Sequence, residues 1–262
     1  MTESRQTWHH GLVARWWAEF NVAIDEELAF YGSAIRRYGQ PALDLGCGTG
    51  RMLLPLIHSG LDVDGCDVSS DMLAQCRAKA TLAGLTPQLF QQSGDDLAPP
   101  RTYGTIYICD SFGTVGNPEA LRRCHQYLRP GGALVFNVTL PYADAERWRF
   151  WIPEQARSLP EPWPEESARR RAADGDEIEL RSRRLAFDAL EQMWTRQIQA
   201  TLWHDGVAVR REEHILHERS YFRNELVLML RHAGFSEIAA HGAYDGRPER
   251  SDDLSLVFTA RR

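Results

Sequence analysis

Asp44-Leu45-Gly46-Cys47-Gly48-Thr49-Gly50-Arg51 sets three glycines at alternate positions behind an acidic residue, at the end of a short apolar run that begins at Ala42. A strand that runs into such a loop brings bare backbone close to a ligand. Three chemistries compete for it. A phosphate cradle of the P-loop kind needs G-K-[ST] after the glycines, which is missing, and a dinucleotide turn needs a glycine in the sixth place, where Arg51 stands. The remaining pattern is G-x-G-x-G preceded by Asp44, a carboxylate that opposes a pyrophosphate at a helix N-terminus but favours a ligand carrying an ammonium group. Asp67 closes the second strand-like run, Asp62 to Cys66. A carboxylate there suits the paired hydroxyls of a ribose; the plainer role is to cap the following helix, which Ser69 and Ser70 can also do.

The ordered set of "LDLGCGTGR", "GCDVS" and "YLRPGGALVFNV" resembles the class I S-adenosylmethionine-dependent methyltransferases, over about residues 40–140 and, more loosely, from "ELVLMLRHAGF" onward. The resemblance implies S-adenosylmethionine as cofactor and S-adenosylhomocysteine as product. By position it gives Gly46, Cys47, Gly48 and Gly50 to the methionine part, Asp44 to its ammonium, Asp67 and Val68 to the ribose, and Met72 to the adenine side. Relatives often place an Asp on the adenine amine after the third strand. This chain reads Gln91-Gln92-Ser93-Gly94-Asp95-Asp96, so Ser93, Gly94 and Asp95 take that place. Cys109, at the end of the fourth strand, completes the implied cofactor set.

Methyl transfer needs a nucleophile aligned behind the methyl group, and orientation alone can supply on the order of 7–11 kcal/mol. A general base is required only for an acceptor protonated at working pH, so no catalytic side chain need exist; Asp110 is the one candidate. The segment Cys109-Asp110-Ser111-Phe112-Gly113 has no N-P-P-Y signature of the kind found in DNA and protein-amide methyltransferases, which turns the expectation toward small molecules with an N, O or C acceptor. Candidate pocket residues are Trp16, Trp17, Asp110, Phe112, Tyr142, Trp148, Tyr221 and Arg223; the aromatic ones can cage a cationic amine, and Arg223 can hold an acidic one. Cys109 lacks a neighbouring His or Lys to activate it as a nucleophile. His204, His214 and His217 do not share a strand face in ligand spacing, so no metal is expected. A non-catalytic cofactor-sensing or partner-binding protein of the same fold is the alternative, and a nicotinamide-dependent oxidoreductase is disfavoured by Arg51.

These residues need rigid elements to hold them. Short apolar runs at 42–45, 62–66, 87–91, 105–109 and 133–138 alternate with amphipathic stretches near 50–58, 70–82 and 117–128, which predicts a doubly wound, mostly parallel α/β sheet. The resemblance makes it seven-stranded and Rossmann-like. Helical spacing covers 11–38, an irregular Pro/Arg/Trp-rich connection covers 141–175, and period-two alternation over 176–219 predicts an antiparallel insertion of about three strands with a hairpin at Asp205-Gly206. A helix from Asn224 to His232, stopped by Gly234, and strands near 235–241 and 254–260 follow. The expected organisation is an N-terminal helical cap (1–38), a cofactor-binding core (39–140), an inserted β lid (141–219) and a C-terminal helix with strands (220–262).

The 262 residues are 43% hydrophobic and 25% charged, as expected of ordinary globular domains. A net charge of −6 argues against nucleic acid, and Arg169-Arg170-Arg171, surrounded by acids, reads as a solvated loop. Five cysteines without a CxxC pair predict buried, reduced thiols. With no long apolar run and no secretory pattern, the expectation is a cytoplasmic monomer or homodimer that takes a small molecule and binds no membrane.

Overall fold

The computed structural model describes residues 8–262; the first seven positions of the expected helical cap lie outside them. Two compact units divide the chain, Val22–Ala143 with Tyr221–Arg262, and the residues up to Asn21 with Asp144–Ser220. The helical pattern over 11–38 is two helices, α1 (Gly11–Phe20) and α2 (Asp25–Tyr38), one in each unit. The break falls where Ile24 takes an extended backbone (φ −95°, ψ 154°) and Val22 is exposed.

In the larger unit α2 leads into β1 (Ala42–Leu45), α3 (Leu53–His58), β2 (Val63–Asp67), α4 (Ser70–Leu82), β3 (Leu89–Gln91), β4 (Tyr103–Ile108), the short α5 (Phe112–Val115), α6 (Pro118–Tyr127) and β5 (Leu128–Thr139). These five strands are parallel in the order β5-β4-β1-β2-β3, and the sheet is extended past β5 by two later strands to make seven. Strand and helix positions agree with the sequence pattern to within a few residues, except that β5 starts well ahead of Ala133. Apolar runs are legible here because both faces of the central strands are buried: β1 and β4 expose almost nothing. Leu43, Ile106, Leu134 and Phe136 turn to the side of α6, while Ala42, Tyr107 and Val135 turn to the side of α2, α3 and α4. Asn117 caps α6 through its Oδ1 on two backbone N–H groups, with Pro118 in the first turn.

The smaller unit contains α1, the short helices α7 (Ala145–Trp148) and α8 (Pro153–Ala156), and a four-stranded antiparallel sheet, β6 (Ala168–Arg171), β7 (Glu177–Asp188), β8 (Met193–His204) and β9 (Val207–Arg219), in that order. The insertion thus has one strand more than expected. Arg169 to Arg171 form an edge strand rather than a loop, paired to β7 in register and held by Glu177 to Arg169 and Arg171. With all four residues exposed, β6 carries no apolar alternation to betray it. Asp205 (φ 47°) and Gly206 (φ 78°) make the expected tight turn between β8 and β9. Leu12 and Val13 of α1 pack on Ile198 and Ala200 of β8, and the Leu12 N–H donates to Glu212 Oε2 (2.7 Å), which seats a carboxylate at the helix start.

The larger unit then resumes with α9 (Arg223–His232), β10 (Ser236–His241) and β11 (Ser255–Arg261); β11 runs antiparallel to both β5 and β10. Leu226 and Leu230 of α9 join the layer of α6. The Phe136 ring lies between Phe112 (4.1 Å between centroids) and Phe258 (5.2 Å), both stacked on it. Because Phe112 opens α5, just past the loop Cys109–Ser111 that follows β4, this stack anchors the far end of that loop. Phe136→Ala should destabilise the protein by about 3–5 kcal/mol in urea unfolding, whereas Phe136→Leu should cost about 1.5 kcal/mol or less; similar losses for the two would show that the stack is not a tight packing element.

Candidate active site

The order of strands reverses between β1 and β4, and the crevice at their carboxyl ends is where open α/β sheets bind ligands. The glycine loop leaves β1 at this point. A Cβ on Gly46 (φ +83°) would stand 2.6 Å from Ser111 Oγ, and one on Gly50 (φ +82°) 2.7 Å from Cys76 Sγ. The N–H groups of Gly46 and Cys47 donate to the Cys66 carbonyl (2.8 and 3.0 Å). Gly48 N–H donates to Asp67 Oδ2 (2.8 Å) and Ser69 N–H to Asp67 Oδ1 (2.8 Å). Asp67 therefore ties the glycine loop to the end of β2, and each oxygen keeps acceptor capacity for a further donor. Burial raises its pKa, and the N–H groups of Ser69, Gly48 and Val68 draw it partly back. Ser69 itself caps α4, its Oγ accepting from Met72 N–H (3.2 Å), so the capping and ligand readings of Asp67 are compatible. Met72 is buried beneath Gly48, its Cε 3.7 Å from where a Cβ would be.

Asp44 is 2% exposed, on the face of β1 that meets α2, α3 and α4. Burial pushes its pKa up to about 7; the Tyr107 hydroxyl and Arg51 lower it, and the charge of Asp67 raises it. Among the described residues Asp44 has no direct ion pair, so its charge is incompletely compensated and a cation at this point is favourable. The thiols around it are all free and buried. Burial raises the pKa of both Cys66 and Cys76 to about 12 and lifts those of Cys47 and Cys109 further, which leaves them protonated and without nucleophilic character.

Arg51 has a second role that sequence reasoning missed. Its guanidinium pairs with Glu27 of α2 and with Asp110 Oδ2 (2.7 Å), and approaches Cys109 Sγ (3.2 Å). Glu27, only 5% exposed, also accepts from the Ile24 N–H at the start of α2 (3.3 Å). In sequence it is one of three acids in a first helical turn, and nothing local marks it for Arg51. Asp110 holds a left-handed backbone (φ 55°); its N–H donates to Asn137 Oδ1 (2.8 Å) and its carboxylate accepts from Asn137 Nδ2. Tyr31 Oη donates to the same Asn137 oxygen (3.0 Å). Glu27, Cys109 and Asp110 offer ligand atoms within 4.8 Å of one another, but the Arg51 guanidinium is the cation that already pairs with their carboxylates.

The remaining candidates have the following surroundings within each unit. Ser93 Oγ accepts from Asp96 N–H (3.3 Å) in a turn, Gly94 is buried against Val115 and Ala120, and Asp95 accepts from Asn117. Phe112 belongs to the aromatic stack, and Tyr221 is buried with its hydroxyl donating to the Gly116 carbonyl. Arg223 pairs with Glu249 (2.9 Å), and Tyr142 is exposed. In the smaller unit Trp16 is buried, Trp17 keeps a buried indole N–H without an acceptor among the described residues, and Trp148 lies tilted against Trp151 (5.6 Å between centroids). The three histidines stay apart: His204 meets Asp176, His214 meets His10 and Glu212, and His217 meets Thr195. Among the described residues no helix is long and apolar enough to cross a membrane.

Comparison with known proteins agrees with the geometry of the larger unit. Residues 42–132 match the family model of a methyltransferase domain. A protein of Geobacillus sp. (strain WCH70) named as a methyltransferase is 32% identical over 131 residues, 48% of this chain, and the chain spans about half the length of the relatives it matches in sequence, 51% of this one. Among solved structures, an S-adenosylmethionine-dependent methyltransferase from Clostridium acetobutylicum ATCC 824 superposes with a TM-score of 0.70 at 17% identity, covering 92% of both chains. A sugar N-methyltransferase from Streptoalloteichus sp ATCC 53650 does so at 0.70 and 17% identity, over 100% of this chain and 97% of that one. Residues 42–132 thus resemble a methyltransferase domain, and the chain shares the fold of solved S-adenosylmethionine-dependent methyltransferases.

Proposed function

We propose that this chain binds S-adenosylmethionine at the β1/β4 crevice and transfers its methyl group to a nitrogen, oxygen or carbon atom of a small molecule, leaving S-adenosylhomocysteine. The observation that carries the reading is the pair of carboxylates, buried Asp44 and half-buried Asp67, on either side of a glycine loop that side chains would fill. A ligand with an ammonium at one end and a vicinal diol further along satisfies both. When bound, the cofactor supplies an electrophilic methyl group on a sulfonium. Asp67 accepts from the ribose hydroxyls through the lone pairs that Gly48 and Ser69 leave open, and Gly46 and Gly50 keep the methionine path clear. Asp44 holds the ammonium, with Arg51 kept beside it by Glu27. Asp110 is clamped by Arg51 and Asn137 yet half-exposed, and it offers a carboxylate oxygen to a donor group of the acceptor. The small-molecule class is supported by the absence of a macromolecule-amide signature after β4 and by the sugar substrate that one structural neighbour's name carries.

Calorimetric titration should show binding of S-adenosylmethionine and S-adenosylhomocysteine, weakened about 100-fold or more in Asp67→Ala with circular dichroism unchanged; wild-type protein that binds neither overturns the reading. Transfer from a labelled methyl donor into a small-metabolite extract separates catalysis from mere cofactor sensing. The pH dependence has a definite sign. A bound ammonium stabilises ionised Asp44, whose pKa in the free protein is raised to about 7, so affinity should hold above that pH and fall as pH drops through it. Asp44→Asn should bind more weakly at neutral pH and lose this dependence; a wild-type affinity flat from pH 8 to 5.5 would remove Asp44 from the ammonium role.

A further inference from the structure

The antiparallel sheet of the smaller unit carries an arrangement that pairing alone makes unfavourable. In the β7–β8 ladder Arg184 stands directly opposite Arg196, on one face of the sheet, and like charges so placed repel. Arg147 of α7 adds a third guanidinium: it lies over the Trp194 ring at 5.3 Å, and that of Arg184 approaches the same ring at 5.8 Å. Arg184 is well paired, with Glu161 (2.9 Å) and Asp144 (3.2 Å). The other two are not. Among the described residues Arg147 and Arg196 share a single carboxylate, Glu218, at 3.6 and 3.5 Å, both beyond good hydrogen-bond length. Burial and the charges of Arg147 and Arg184 lower the pKa of Arg196 against the pull of Glu218 and Glu161. His9, the remaining titratable neighbour of Arg196, adds no charge at neutral pH, since burial and the nearby His214, Arg196 and His10 lower its pKa to about 4.

The planar, donor-rich guanidiniums of Arg147 and Arg196, with one distant carboxylate between them, match an incoming oxyanion, which can take the parallel N–H bonds that Glu218 is too far to accept. We propose that Arg147 and Arg184, over the Trp194 ring, form with Arg196 an anion-binding site that takes a carboxylate or phosphate group of a small molecule. The site lies wholly within the smaller unit and does not depend on the methyl-transfer reading. The other account of the cluster is structural: the arginines tie α7 to the sheet through Glu218.

Thermal unfolding of the full chain separates the two, with inorganic phosphate and succinate as separate probes at ionic strength matched by sodium chloride. Binding predicts a midpoint raised by about 2–4 °C by at least one probe over chloride. Phosphate acting alone identifies a phosphate group, succinate alone a carboxylate. Arg196→Gln and Arg147→Gln should abolish the rise and weaken binding in titration by about tenfold or more. Arg171→Gln, on the exposed edge strand, should leave it intact. Without anion, Arg196→Gln should be no less stable than wild type, because it removes the opposed like charge. The proposal fails if neither probe exceeds chloride, if the response survives Arg196→Gln or is equally lost in Arg171→Gln, or if Arg196→Gln lowers the anion-free midpoint by several degrees.

Discussion

The carboxylate of Asp67, accepting from the N–H groups of Gly48 and Ser69, is the joint on which the binding end of the sheet depends. A buried charge is tolerated only when donors meet it. Here the donors are backbone groups, one from the glycine loop after β1 and one from the turn before α4, so meeting the charge also fixes two adjacent loops. Asp44 obeys the same constraint with fewer partners. Its burial is offset only in part by Tyr107 and Arg51, and the incomplete compensation is what the proposed ligand ammonium would complete.

Arg51 extends the same logic outward. A guanidinium that reaches Glu27 and Asp110 joins the first turn of α2 to the loop after β4, and Asn137 with Tyr31 continues the chain of hydrogen bonds into β5. The positive φ of Asp110 is held from both sides by this network. A charged residue that looks in sequence like a spoiled dinucleotide turn is, in three dimensions, the link between a cofactor loop and the loop proposed to face the acceptor.

What was legible in the sequence follows from what each element buries. Strands buried on both faces read as apolar runs, and Asp205-Gly206 announced its turn because few residues accept two successive positive φ values. The strand Ala168–Arg171 was illegible because it is held by ladder bonds and Glu177 rather than by apolar burial. The break between α1 and α2 was hidden because both halves keep helical periodicity. At the site, the glycines, Asp44 and Asp67 were marked by local spacing, whereas Glu27 and Asn137 act across separations of 24 and 27 residues and leave no local pattern. Phe112 shows the converse: a loop aromatic beside a crevice reads as a pocket wall until its stacking on Phe136 is seen.

The smaller unit is assembled from segments far apart in the chain: the bond from Leu12 to Glu212 spans 200 residues. During synthesis α1 leaves the ribosome long before β8 and β9, which supply the surface it covers. Closing so long a loop is entropically slow, and the intervening residues must emerge first. The apolar stripe of Leu12 and Val13 therefore spends most of translation unburied, until the inserted sheet has emerged to cover it.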